Sequence, residues 1–264
     1  MLETIASYVP QLFPYLSVTA EYVVLSLVFG TALALVLLAM KLSRFRLLRG
    51  FAFGYTTVLR CTPSIVLLFL AYYGVPPLVR STLGINIDKV DAIVFTIVAF
   101  TLFLGGSISE IMRSAYEAID KSQLEAAECA GLTRRQAMRR IIAPQVLYLM
   151  IPNIGNTLQF LIKEGALVYM IGVIDITGKA YTINANNYGN DLFAVYLALA
   201  LIFWVISLGI DYACKLLERS LGRGYRKPQP AGSGSGGGPS KGAGARVAGK
   251  LGKLGKLRFG KAAS

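Results

Sequence analysis

Five stretches of the chain are each long and apolar enough to form a helix that crosses a hydrocarbon core of about 30 Å, which takes about 20 residues. They run over residues 18–40, 56–79, 91–117, 141–174 and 192–217. Inside a bilayer each backbone N–H and C=O must find its partner within the segment, so such runs fold as helices. The wider composition agrees. Hydrophobic residues make up 55% of the chain and charged ones 16%, whereas soluble domains average about 45–50% and about 25%. The fold class expected is an all-α integral membrane protein with five transmembrane helices. The fourth stretch is the longest and carries Pro152, Gly155, Lys163, Glu164 and Gly165. It reads as a span followed by an irregular return near the outer face.

Loop charge sets the orientation. Lys41, Arg44, Arg46 and Arg49 follow the first stretch. Lys121, Arg134, Arg135, Arg139 and Arg140 lie between the third and fourth, and Lys215, Arg219, Arg223, Arg226 and Lys227 end the fifth. The intervening connections hold only Arg80, Lys89 and Lys179. Basic residues stay on the cytoplasmic side, so the N-terminus is expected outside and the C-terminus in the cytoplasm. Residues 1–17 have no base and contain Glu3, Pro10 and Pro14, which does not fit a secretory signal. They read as an outer interfacial segment, with Tyr8, Phe13 and Tyr15 at headgroup level.

The chain has no His, which excludes His-based general base catalysis and His-ligated metal sites. Cys61, Cys129 and Cys214 lack the paired spacing of a zinc site or a disulfide framework, and read as small hydrophobes. Gly244–Leu251 comes near a phosphate-binding P-loop but ends in Leu where a hydroxyl must hold Mg²⁺. No G-x-S-x-G motif occurs. This chain therefore reads as neither an ATPase nor a hydrolase.

The connection 120–140, DKSQLEAAECAGLTRRQAMRR, is the most informative part of the chain. Ser122 and Glu125 fit a capping box that opens a helix of about eight residues. Gly131 stands where a left-handed residue ends it. Thr133 and Gln136 fit a second box, opening a basic helix that runs into the fourth stretch. Such a loop could be a solvated amphipathic connection. It could be a DNA-binding helix-turn-helix, but a helix that continues into an apolar span is not free to enter a major groove. It could also be a short docking helix that receives force from a cytoplasmic partner.

Glu125-Ala-Ala, Gly131 and Ile142-Ala-Pro144-Gln145 resemble the EAA loop of ABC importer permeases. Leu59-Arg-Cys-Thr-Pro63, Ile108-Ser-Glu-Ile-Met-Arg113, Lys163-Glu-Gly-Ala-Leu167 and Ile171-Gly-Val173 resemble motifs of the branch that takes up polar amino acids. The likeness covers residues 18–226. Cys61 stands for the usual Gly, Ser122 for Gly, Ala143 for Leu, and Glu164-Gly-Ala for Asp-Thr-Ser. The resemblance implies a type I fold with two permease subunits around one pathway. It implies an ATPase dimer holding ATP and Mg²⁺, an external solute-binding protein, a polar amino acid or close relative such as cystine as substrate, and no cofactor on this chain. Gln123, Glu125, Ala126, Ala127, Gly131, Arg134 and Pro144 are the coupling residues it implies. The leading rival is an ion-coupled secondary transporter or a channel, which should show more spans or an internal repeat.

Polar residues at bilayer depth are costly and face a pathway or one another. In the fourth stretch Asn153, Asn156, Gln159 and Lys163 share one helix face, with Glu164 adjacent. Arg60, Thr62 and Glu110 are further candidates, with Ser107 nearby. Together they could hold a zwitterion, the cations and amides meeting its carboxylate and an acid meeting its ammonium. They could equally be hydrogen bonds and ion pairs between helices.

The chain thus divides into residues 1–17, a permease region at 18–221, and a tail at 222–264. The tail carries 10 of the 27 basic residues and no acid. Its Gly-rich composition reads as a disordered cytoplasmic extension able to approach anionic lipid. The remainder holds 17 bases against 14 acids, so the net charge of +13 belongs mainly to the tail. No nucleic-acid partner is expected.

Overall fold

The computed structural model describes residues 2–222, and the regular structure among them is entirely helical. The tail reading lies outside the described residues.

Helix α1 (Leu2–Leu12), a 3₁₀ turn (Phe13–Tyr15) and α2 (Leu16–Lys41) follow one another closely. The run Glu3–Lys41 is 39 residues long and apolar enough to cross a membrane. The N-terminal segment is more than a surface anchor. Ile5, Tyr8 and Leu12 of α1 are buried against α10 (Ile176–Asn186) and α11 (Leu192–Gly222), where they meet Ile176, Ile183, Val195 and Leu199. Tyr8, expected at headgroup level, donates to Asp191 at 2.7 Å and accepts from Asn187 at 2.9 Å.

The second apolar stretch is divided where a single helix was expected. Helix α3 (Arg46–Cys61) stops at Thr62, whose φ of −88° and ψ of 128° are extended. Pro63 causes this, because its ring crowds a preceding residue in the helical region. The spanning run starts afresh at Ser64. It comprises α4 (Ser64–Phe69), a π turn (Leu70–Gly74) and α5 (Val75–Leu83). A second π turn, Met138–Ile142, joins α8 (Arg134–Ala137) to α9 (Ala143–Glu164). Both π turns lie just before a proline, Pro76 and Pro144. A proline removes the bond to the carbonyl four residues back, and a widened turn accommodates its ring.

Helix α6 (Ala92–Glu117) is the central element and is opened by Asp91, whose carboxylate accepts from Ile93 N–H at 3.0 Å. It packs against α2, α3, α4 and α9. Its closest approach is to α2, across glycines. A Cβ on Gly30 would stand 2.6 Å from Leu104 Cβ, and one on Gly105 would stand 2.6 Å from Leu33 Cδ2. Small residues let helices meet this closely in lipid, where packing replaces the hydrophobic effect as the attraction between them.

Among the described residues, four runs are long and apolar enough to cross a membrane: Glu3–Lys41, Ser64–Leu83, Ala92–Glu117 and Leu192–Gly222. Helix α9 is not among them. At 22 residues it is long enough, about 33 Å, but Asn153, Asn156, Gln159 and two prolines reduce its apolarity. It continues as a 3₁₀ segment (Gly165–Ile171) that ends at Gly172 with φ of 90°. The exterior is apolar, and the interior is an apolar core that includes a few buried polar groups. Val24, Phe29, Trp204, Val205 and Leu208 are exposed, while Thr19, Lys41, Ser109 and Asp175 are buried. Asp175 caps α10 through Gly178 N–H at 2.8 Å and accepts from the buried Tyr22 hydroxyl at 3.2 Å.

Candidate functional site

Helix α7 (Ser122–Cys129) stands between α6 and α8. The Ser122–Glu125 box does not form. Asp120 takes its place, its Oδ1 accepting from Ser122 N–H at 2.9 Å, and that bond holds the Asp120 carboxyl below the ordinary Asp range. At the other end Gly131 has a φ of 86°. Leu132 N–H reaches Ala127 C=O at 3.1 Å and Gly131 N–H reaches Glu128 C=O at 3.0 Å. These two bonds make a Schellman termination. The second box does form: Gln136 N–H donates to Thr133 Oγ1 at 3.4 Å and Thr133 N–H donates to Gln136 Oε1 at 2.9 Å.

Both ends of α7 are therefore fixed by local bonds. Ala127 is buried and anchors the helix, while Gln123, Glu125 and Ala126 are exposed along its length. Arg134 is exposed and Pro144 half-buried at the start of α9. One contact was missed from sequence as a site feature. Gln145 Nε2 donates to Gln123 Oε1 at 2.6 Å and to Ile141 C=O at 3.1 Å. It bridges the short helix to α9 across 22 residues of chain. Its place directly after Pro144 was the only signal available.

The second feature is a cleft of about 540 Å³ between α3, α6 and α9. Of the sequence candidates, Arg60, Ser107, Glu110, Asn153 and Asn156 line it, joined by Ser114 and Thr157. Ser114 continues the Ser107–Glu110 face of α6, and Thr157 lies one turn beyond Asn153, so helical spacing could have found both. Gln159 and Lys163 lie further along α9 and do not line the cleft. Glu164 instead accepts from the Ser64 hydroxyl. Thr62 turns back to its own helix, donating to Val58 C=O at 2.8 Å.

Glu110 is already engaged. It accepts from Lys41 Nζ at 2.9 Å and from the Arg113 guanidinium. Lys41 is fully buried and also donates to Ser109 at 3.0 Å. Both cations lie over the Phe53 ring, at 5.5 and 5.7 Å. Arg60 is exposed and has no carboxylate partner among the described residues. The cleft thus offers one free guanidinium beside amides, hydroxyls and the Glu110 carboxylate, whose charge is met by Lys41 and Arg113, a set suited to a carboxylate in a polar ligand.

Residues 26–223 match the family described as "Binding-protein-dependent transport system inner membrane component". The chain belongs to this family. Among its relatives is the L-cystine transport system permease protein of Bacillus subtilis (strain 168), 32% identical over 220 residues, which are 83% of this chain and 91% of that protein. The arginine transport system permease protein of the same organism is 37% identical over 213 residues, covering 81% and 93%. A crystal structure of an amino acid ABC transporter with histidines aligns at a TM-score of 0.71 and 30% identity, covering 83% of this chain and 98% of that one. An inward-facing methionine ABC transporter, 20% identical at a TM-score of 0.57 over 80% of this chain and 94% of that one, shares the fold. The all-helical fold agrees with these neighbours.

Proposed function

We propose that this chain is the membrane-spanning permease subunit of an ATP-driven importer for a polar amino acid or a close relative such as cystine. The observation that carries the reading is α7. It is a short helix closed at both ends, tied to α9 by Gln145, and it exposes Gln123, Glu125 and Ala126. Its own chain gains little packing from it, whereas a groove on a partner could grip it as a rigid lever. The ATPase dimer that holds ATP and Mg²⁺ would dock there. The solute-binding protein would deliver substrate from the opposite face.

The five spans in this reading are α2, the run 64–83, α6, α9 and α11, with the N-terminus outside and the C-terminus cytoplasmic. A polar α9 is tolerated because Asn153 and Asn156 face a cleft and not lipid. One such bundle encloses only part of a pathway, so a second permease copy or a sibling completes it. Arg60, Asn153 and Asn156 line the passage, and Arg60 receives the substrate carboxylate. Glu110 has a structural role beside them.

A pull-down of the tagged chain from native membrane, with partners identified by mass spectrometry, tests the assembly. Co-purification of an ATPase carrying a P-loop, with a permease at two copies per complex, is the expected result. Recovery of the chain alone, under detergent conditions that preserve comparable complexes, overturns the docking role of α7 and returns the chain to the secondary-transporter or channel class.

A further inference from the structure

Arg134, Arg135, Arg139 and Arg140 surround a cleft of about 1330 Å³ whose remaining walls include Met138 and Ala143. All four guanidinia are exposed, and none has a carboxylate partner among the described residues. By contrast Lys41, Arg80, Arg113 and Lys215 each have one. Four like charges within seven residues repel one another, and an anion seated among them relieves that repulsion. We propose that this cleft binds the headgroup of an anionic phospholipid.

Three observations favour lipid over an acidic protein surface. No residue of α7 lines the cleft, and of the implied coupling residues only Arg134 does, so most of its wall lies off the docking helix. The cationic wall passes into apolar surface within one helical turn, since Ala143 is half-buried and Leu147, four residues on, is 51% exposed. That gradient matches a phosphate above an acyl chain. The proposed orientation also places these arginines at the cytoplasmic surface, where anionic lipids exert their field and each base gains about 1 kcal/mol. A guanidinium meets a phosphodiester with two parallel hydrogen bonds, so Arg serves better here than Lys.

The inference rests on the orientation given above and not on import itself. Its test uses the full chain without partners, in micelles doped with equal amounts of phosphatidylglycerol and phosphatidylcholine, with retained lipid read by native mass spectrometry. The basic tail is present throughout, so it is constant between variants. Arg134 is left intact because it belongs to the coupling segment. The expected result is retention of phosphatidylglycerol over phosphatidylcholine, with affinity about 30-fold weaker in R139Q/R140Q and about fivefold weaker in R135Q. The single variant serves if the double one unfolds.

No preference for phosphatidylglycerol in the wild type overturns the proposal. So does equal affinity in wild type and variants. Loss of a protein partner from R139Q/R140Q in the native-membrane pull-down, with lipid retention intact in micelles, assigns the cleft to protein docking and overturns it as well. A lipid preference that persists when no ATPase co-purifies leaves this site standing while the importer reading fails.

Discussion

Gly131 occupies a backbone conformation, φ of 86°, that a side chain enters only at a cost of about 1–2 kcal/mol. No atom lies within 4 Å of where its Cβ would be, so the constraint is conformational and not steric. Gly131→Val should therefore unfix the end of α7, reducing the amount of ATPase recovered with the chain while the membrane level stays near normal. Full recovery would remove Gly131 from coupling. Gln145 ties α7 to α9 by one amide hydrogen bond, worth about 0.5–1.5 kcal/mol. Gln145→Leu should lower uptake and leave ATPase recovery unchanged, because the lever docks but no longer pulls on α9. Unchanged uptake would make the bond incidental. Asp120 gives a pH signature. Its folded carboxyl titrates below the ordinary Asp value, so its support for α7 is present above that ordinary value and is lost as pH falls through the lowered one. Hydrogen exchange at Ser122 N–H, corrected for intrinsic rate, should show lost protection only in that acid window, and Asp120→Ala should abolish the transition.

Among elements, the α2–α6 pair is the rigid part of the bundle. Its glycines allow the close approach in mid-helix, and Lys41 with Glu110 ties the C-terminal end of α2 to α6. Glu110→Gln leaves the fully buried Lys41 ammonium without its counter-charge, and removal of one partner from a buried pair costs about 3–5 kcal/mol. Thermal unfolding in detergent should show a large loss. The pair change Lys41→Met with Glu110→Leu should recover most of it, because two apolar groups leave no buried charge. If the double variant refolds and transports, Glu110 is structural. If it refolds without transport, Glu110 serves the pathway after all.

At the scale of the molecule, the described chain exposes many apolar side chains, as a bilayer requires, and sets a few polar groups within an apolar core. Its polar groups then divide into those already paired and those left free. Arg60 is the free cation in the α3–α6–α9 cleft. A charged hydrogen bond is worth about 1.5–3 kcal/mol, so Arg60→Gln should raise the KM for uptake by roughly tenfold or more without changing the thermal midpoint. An unchanged KM would place substrate elsewhere.

The apolar runs, the second capping box, the helix-ending role of Gly131 and the EAA-like segment could all be read from the residues. Each depends on neighbours within about one turn, and local spacing carries local physics. The tertiary structure decided what local spacing cannot carry. Pro63 divided the second run, and α7 opened on the Asp120 carboxylate, which accepts from Ser122 N–H, with no Ser122–Glu125 box. The polar stripe on α9 was legible as a face, but which part of it met a partner depended on the helices opposite. Asn153 and Asn156 came to face Arg60 across a cleft, whereas Gln159 and Lys163 passed beyond it and Glu164 turned to Ser64. The Glu110–Arg113 pair, three residues apart on one helix, was open to local reading, but the second partner, Lys41, lies some seventy residues earlier and only the packing of α2 on α6 brought it to Glu110.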